Sequence, residues 1–199
     1  MPTVEFNDDK PALDYIRKKG YASYSSITNV RDCKIPTKVD EVYFKFGREL
    51  HSRLLENKVL EKLSAKEEQM LAAMLAKLRA NAVVKQLLSK SLNEQWFPKG
   101  FELHGLRITG RIDILNGKDN VCDLKTTRLT NMKAFVESMD MVQASLYKLA
   151  TGVKDFYYIG CSKLPPHNVM VFNVNQYPDK IKEADKELIR LIRYIKSKL

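Results

Sequence analysis
Apolar and polar positions change their spacing several times along the chain, and each change marks an element. From Leu106 to Ile114 they largely alternate with period two, as in a strand with two unlike faces. The stretch 116–120, Asn-Gly-Lys-Asp-Asn, is rich in residues that tolerate positive φ and predicts a reversal. Residues 121–125 then read as the return strand. Elsewhere the spacing is helical. A first helix is predicted over 9–19, with Asp9 as N-cap, Pro11 in the first turn and Gly20 as the stop. Residues 23–27 cap a second short helix, and 33–40, with Pro36, read as a loop. Over 42–61, Phe44, Gly47, His51, Leu54 and Leu55 form one inward stripe. Ser64-Ala65-Lys66-Glu67 is a capping box opening a helix to about 80, and 81–89 is a further short helix.

The second half alternates strands with helices. Strands are expected over 92–97, with Trp96 in the core, and from 101–104 into the alternating stretch. Thr130 should cap a helix to about 139, followed by another over 140–150 with Val142, Leu146 and Leu149 as its core stripe. Residues 154–163 and 168–174 read as strands separated by Pro165-Pro166. Pro178 opens a long basic helix to 199, in which Ile181, Leu188, Ile192 and Ile195 face inward. The expected fold is α/β (α+β by some schemes): a central mixed β-sheet flanked by helices in one domain, 1–199. Its helical part covers about 1–90, its sheet about 91–175 and its last helix 178–199.

A turn centred on Lys118 pairs Asp113 with Asp123 and Arg111 with Lys125 on one face, and Ile112 with Leu124 and Ile114 with Cys122 on the other. Directly opposed carboxylates lie roughly 5 Å apart and repel. A hard divalent cation such as Mg²⁺ is the natural species between them. Lys125 shares the face of Asp123 and could hold a water or a phosphoryl oxygen. On three residues alone, an ordinary surface hairpin is the better explanation of the pattern. His51 faces the core side and reads either as a satisfied core histidine or as a metal ligand. Glu94 reads as an addition to the carboxylates or as a solvated strand acid. Arg111 beside Lys125 is tolerable only with a phosphate between them. Thr126, Thr127 and Arg128 at a strand end suit phosphate contacts, and Gln143 and Tyr147 lie one helical turn apart.

Charge widens the picture. The 199 residues carry 34 Lys plus Arg against 24 Asp plus Glu, a formal net charge of +10, which points to a polyanionic partner, nucleic acid first. No apolar run reaches the ~18–20 residues needed to span a bilayer, and the N-terminus has no secretory pattern. Cys33, Cys122 and Cys161 are odd in number and widely spaced, which speaks against a disulfide framework or an iron–sulfur cluster and for reduced thiols in the cytoplasm.

In order, the chain shows Gly47…His51, Glu94, Gly110-x-x-Asp113, Asp123-x-Lys125 and Gln143-x-x-x-Tyr147. This series resembles the PD-(D/E)xK nuclease superfamily, in its RecB-type and phage-type exonuclease branch, over roughly 21–175. Ile112 stands where that pattern has proline, and no nucleotide-binding Gly-rich loop is present. The resemblance implies a restriction-endonuclease-like core and a metal-dependent DNA exonuclease associated with phage, recombination or repair. It implies that His51, Asp113, Asp123 and the Leu124 carbonyl, with Glu94 as a further candidate, bind Mg²⁺ or Mn²⁺. Lys125, with Gln143 and Tyr147, would complete the catalytic set. DNA contacts would come from Arg111, Thr126, Thr127, Arg128 and Tyr147. A structure-specific endonuclease or a non-catalytic nucleic-acid-binding protein are the alternatives. A homo-oligomer or a single-strand-annealing partner is not readable from the residues.

Overall fold
The computed structural model describes residues 9–34, 41–89 and 91–199, with 41–44 as backbone alone. Phe44 and most of the predicted 33–40 loop therefore lie outside the described side chains. Helix α1 (Lys10–Lys19) ends on Gly20 in a left-handed conformation. Asp9 sits at its N-cap without capping it; its carboxylate instead accepts the Tyr194 hydroxyl. Helix α2 (Tyr24–Arg31) starts on a Ser23–Ser26 capping box. Helix α3 (Glu41–His51) passes into a single π-helical stretch, Ser52–Glu56, and the chain leaves the helix at Asn57. The helix predicted to 61 thus stops early. The buried Glu49 carboxylate accepts the amides of Leu60 and Glu61, holding the following loop against α3. Helices α4 (Ala65–Ala80), with its Ser64 capping box, and α5 (Ala82–Leu88) complete the wall.

The main sheet has five strands in the order β1 (Leu92–Trp96), β4 (Arg111–Asn116), β5 (Asn120–Thr127), β6 (Asp155–Ser162) and β7 (Val169–Asn173). The pairs β1–β4, β4–β5 and β6–β7 are antiparallel, whereas β5–β6 is parallel. The parallel step needs a crossover, supplied by α6 (Met132–Ser138) and α7 (Met141–Thr151). Asn131, not Thr130, caps α6. Helix α8 (Pro178–Lys198) packs on α7 and α2. One apolar core lies between the sheet and α1, α2 and α6–α8, and a second between the sheet and α3–α5.

The alternating stretch is not one strand. β2 (Glu102–Leu103) and β3 (Leu106–Arg107) form a separate hairpin around His104 and Gly105, both at positive φ. β4 begins only after Gly110. Gly110 passes so close to Phe97 that a Cβ would lie 2.7 Å from its ring. Phe97, not Trp96, enters the core; Trp96 is 67% exposed on the edge strand β1. Leu149 likewise faces outward, at 48% exposure, because the buried arc of α7 runs through Val142, Leu146 and Ala150 and also takes in Gln143 and Tyr147.

Candidate functional site
The hairpin β4–β5 opens at its base. Ile114 pairs with Cys122, as the turn at Lys118 requires, and the ladder ends there. One residue further, the Asp113 side chain replaces a strand partner: its Oδ2 accepts the Leu124 amide at 2.8 Å. Ile112 consequently joins the core beneath α7 and α8, while Leu124 packs under α3–α5, so the expected Ile112–Leu124 pair does not form. Arg111 is likewise not beside Lys125. It pairs with Trp96 of β1, and its guanidinium forms ion pairs with Glu94 and, at 3.5 Å, with Glu56.

The split frees the Leu124 carbonyl, and His51 Nε2 meets it at 2.7 Å. Its Nδ1 lies 3.6 Å from Asp113 Oδ2. His51 occupies the last turn of α3 because that helix crosses β5 closely at Gly47, where an added Cβ would touch Thr126 Oγ1 at 3.6 Å. Glu94 joins from β1. Its φ of 55° is left-handed, uncommon for a non-glycine residue, while the register is unchanged on either side of it. Ligand atoms of His51, Glu94 and Asp113 all lie within 4.8 Å of one another. Together with Arg48, Ser52 and Glu56 they line a cavity of about 360 Å³.

Asp123 stands next to this cluster, on the α7 side of β5. Gln143 Nε2 donates to its Oδ1 at 2.6 Å. Its Oδ2 lies 2.8 Å from Lys125 Nζ, but outside hydrogen-bonding geometry, and among the described residues this buried oxygen has no other partner. Burial, and then the charge of Asp123, push the Asp113 carboxyl well above its ordinary range. Burial also raises Glu94 and lowers His51. A buried oxygen without a hydrogen bond, two repelling carboxylates, an imidazole and a freed carbonyl fit a divalent cation.

Tyr147 is buried and donates its hydroxyl to the Arg111 carbonyl at 2.9 Å. Thr127 Oγ1 accepts the Leu129 amide, and Arg128 turns toward a second cavity. Spacing did not reveal the support behind Gln143. Asp140 caps α7 and pairs with Arg31 at 2.8 Å, and it accepts the Tyr24 hydroxyl at 2.9 Å. Tyr158 donates to the Asp140 carbonyl at 2.7 Å and reaches Gln143 at 3.5 Å. Such contacts join residues far apart in sequence, and no local pattern announces them.

The order of strands and the placement of the acids define a class. The chain belongs to the PD-(D/E)XK nuclease superfamily, whose family model matches residues 37–195. Among solved structures it is similar to a protein of Eubacterium rectale provisionally assigned as an exonuclease, at 14% identity and a TM-score of 0.63. That match covers 100% of this chain and 88% of the other. The alkaline exonuclease LHK-Exo of Laribacter hongkongensis, in complex with dAMP, gives a TM-score of 0.44 at 13% identity, over 96% of this chain and 93% of that one. A phage-related exonuclease from Haemophilus somnus gives 0.42 at 13%, over 89% and 96%. These last two overlaps are too loose to carry an argument. A search of curated proteins finds no match.

Proposed function
We propose that the protein is a single-domain, divalent-metal-dependent deoxyribonuclease that hydrolyses DNA from an end, in the cytoplasm, with Mg²⁺ or Mn²⁺. The observation that carries this reading is the split between β4 and β5, where Asp113, the Leu124 carbonyl and His51 meet beside the unsatisfied Asp123 oxygen. His51, Asp113, Asp123 and the Leu124 carbonyl would hold the ion, and Glu94 would join once released by Arg111. An ion held there would supply a polarised water and screen charge on the scissile phosphate. Lys125 is held by Asp123 with its side chain 36% exposed, so its ammonium can hold the attacking water or a phosphate oxygen as charge develops. Gln143 fixes one Asp123 oxygen and leaves the other beside Lys125, without a hydrogen bond of its own. Arg111, Thr126 and Arg128 offer donors to the DNA backbone.

Digestion of linear, nicked and circular DNA with Mg²⁺ or Mn²⁺ tests this. Loss of linear DNA alone is expected; cutting of closed circles would make the protein an endonuclease. No cleavage of any form would refute the reading.

A further inference from the structure
A second, open cavity of about 980 Å³ lies where β5 and β6 end, apart from the acidic cluster. The first turns of α4 form one wall, with Lys66, Met70 and Ala73. Arg128, which follows β5, and Lys163, which follows β6, form the other. The Lys163 amide donates to the Thr127 carbonyl at 2.7 Å, tying the two strand ends together. Its ammonium lies 5.0 Å from the centre of the Phe46 ring. Burial, and then the charge of Arg128, lower its pKa. Among the described residues no carboxylate lies within ion-pair distance of Lys163 or Arg128. Glu67, whose charge Lys163 feels, is engaged by the Ser64 amide and hydroxyl in the capping box. Two cations, neither of them in an ion pair, therefore face one cavity whose lining carries a single acid, Glu67, already tied to the helix start, and an anion entering there would offset their mutual repulsion. Met70, Ala73, Leu164 and Pro165 give the cavity an apolar part, beside the polar Gln69 and His167. A bare inorganic anion would use only the cations, whereas a nucleotide would use both walls.

We infer that this cavity is a nucleotide subsite of the nuclease, taking one unit of the bound DNA strand away from the scissile bond. Its phosphate sits on Lys163 and Arg128, and its base or sugar lies against Met70 and Leu164. The inference rests on the nuclease reading. Arg128 lies three residues beyond Lys125 on an extended chain, about 10 Å at ~3.3 Å per residue. That is roughly three base steps at ~3.4 Å of duplex axis each, so the subsite lies within a few nucleotides of the scissile bond. Helix α3 links the two places: His51 ends it at the acidic cluster, and Phe46, about 7.5 Å back along the axis, lies under Lys163.

The test is a length series. Michaelis constants are measured for thymidylate oligomers of two and eight nucleotides with wild-type protein, Lys163→Met, Lys163→Arg and Arg128→Gln. The wild type should favour the octamer over the dimer by about tenfold or more. Lys163→Met, which keeps the stem over Phe46, should reduce that ratio about fivefold, and Lys163→Arg should restore it. Arg128 is outside the core, so Arg128→Gln gives the same reading should Lys163→Met fold poorly. The salt slope of octamer binding should flatten by about 0.7 for each cation removed. An unchanged ratio in both charge-removing variants overturns the subsite while leaving the nuclease reading intact. A wild-type protein that cleaves neither oligomer nor longer DNA overturns the nuclease reading and this inference with it.

Discussion
Asp113 uses one oxygen twice, accepting the Leu124 amide and facing His51 Nδ1. Asp113→Asn keeps an acceptor for the amide but removes the charge. The variant should fold, yet show no rise in melting temperature on adding Mn²⁺ where the wild type does. A thermal-shift titration decides this. Lys125→Ala should lower kcat about 10²–10³-fold, the usual scale for one donor to developing charge, while calorimetry shows metal binding retained; equal rates would remove Lys125 from the chemistry. Gln143→Leu leaves a buried Asp123 oxygen without its donor and should cost about 1–3 kcal/mol in a denaturant melt. The acids, the lysine and the histidine were legible because their spacing is local or belongs to a family pattern. Glu94 stayed ambiguous, because an acid on a strand usually faces water. The neighbours of Arg111 were misplaced for a physical reason: a side chain entering the ladder at Asp113 ends a register that spacing alone extends to Lys125.

Among the elements, those with caps were readable, and those made by contact were not. The Ser64 box opens α4 as expected, and Gly20 stops α1. The short β2–β3 hairpin and the early end of α3 depend on distant partners. Glu49 accepts two loop amides and pairs with Arg53 at 2.8 Å, and Arg53 in turn grips Glu68 with two contacts of 2.6 and 2.8 Å. Removing one partner of a buried charged network costs about 3 kcal/mol or more. Glu49→Ala should therefore lower the melting temperature by roughly 6–12 °C, at ~2–4 °C per kcal/mol for a chain this long. Gly160 is the β6 partner of Lys125, and a Cβ there would lie 2.5 Å from the Phe135 ring. Gly160→Ala should cost about 1–3 kcal/mol by overpacking, measurable by urea unfolding. The accompanying shift of β6 should also lower activity.

For the whole molecule, the sheet separates two cores and the acidic cluster sits where the sheet opens between them. Ion binding should therefore tighten both halves at once. At a hundredfold excess over Kd the gain is about 2.7 kcal/mol, or roughly 5–11 °C in melting temperature. A chelator should reverse it. Among the described residues no helix is long and apolar enough to cross a membrane. The mixed sheet with flanking helices was legible in the alternation of elements, whereas the depth of α7 was not, since Gln143 and Tyr147 look like surface residues until the core closes over them.

The π-helical turn at Ser52–Glu56 has a consequence for length variation. Such a turn holds one residue more than an α-turn needs. Deleting one residue there would let the helix wind as an ordinary α-turn after His51, and the chain beyond would keep its direction. His51 would keep its place. The Leu55 carbonyl, which accepts the Asn93 amide at 2.7 Å, and Glu56, which pairs with Arg111, would stay on the side of the helix they now occupy. The surplus residue works as slack: the segment can lose one unit there and still present the rim of the acidic hollow.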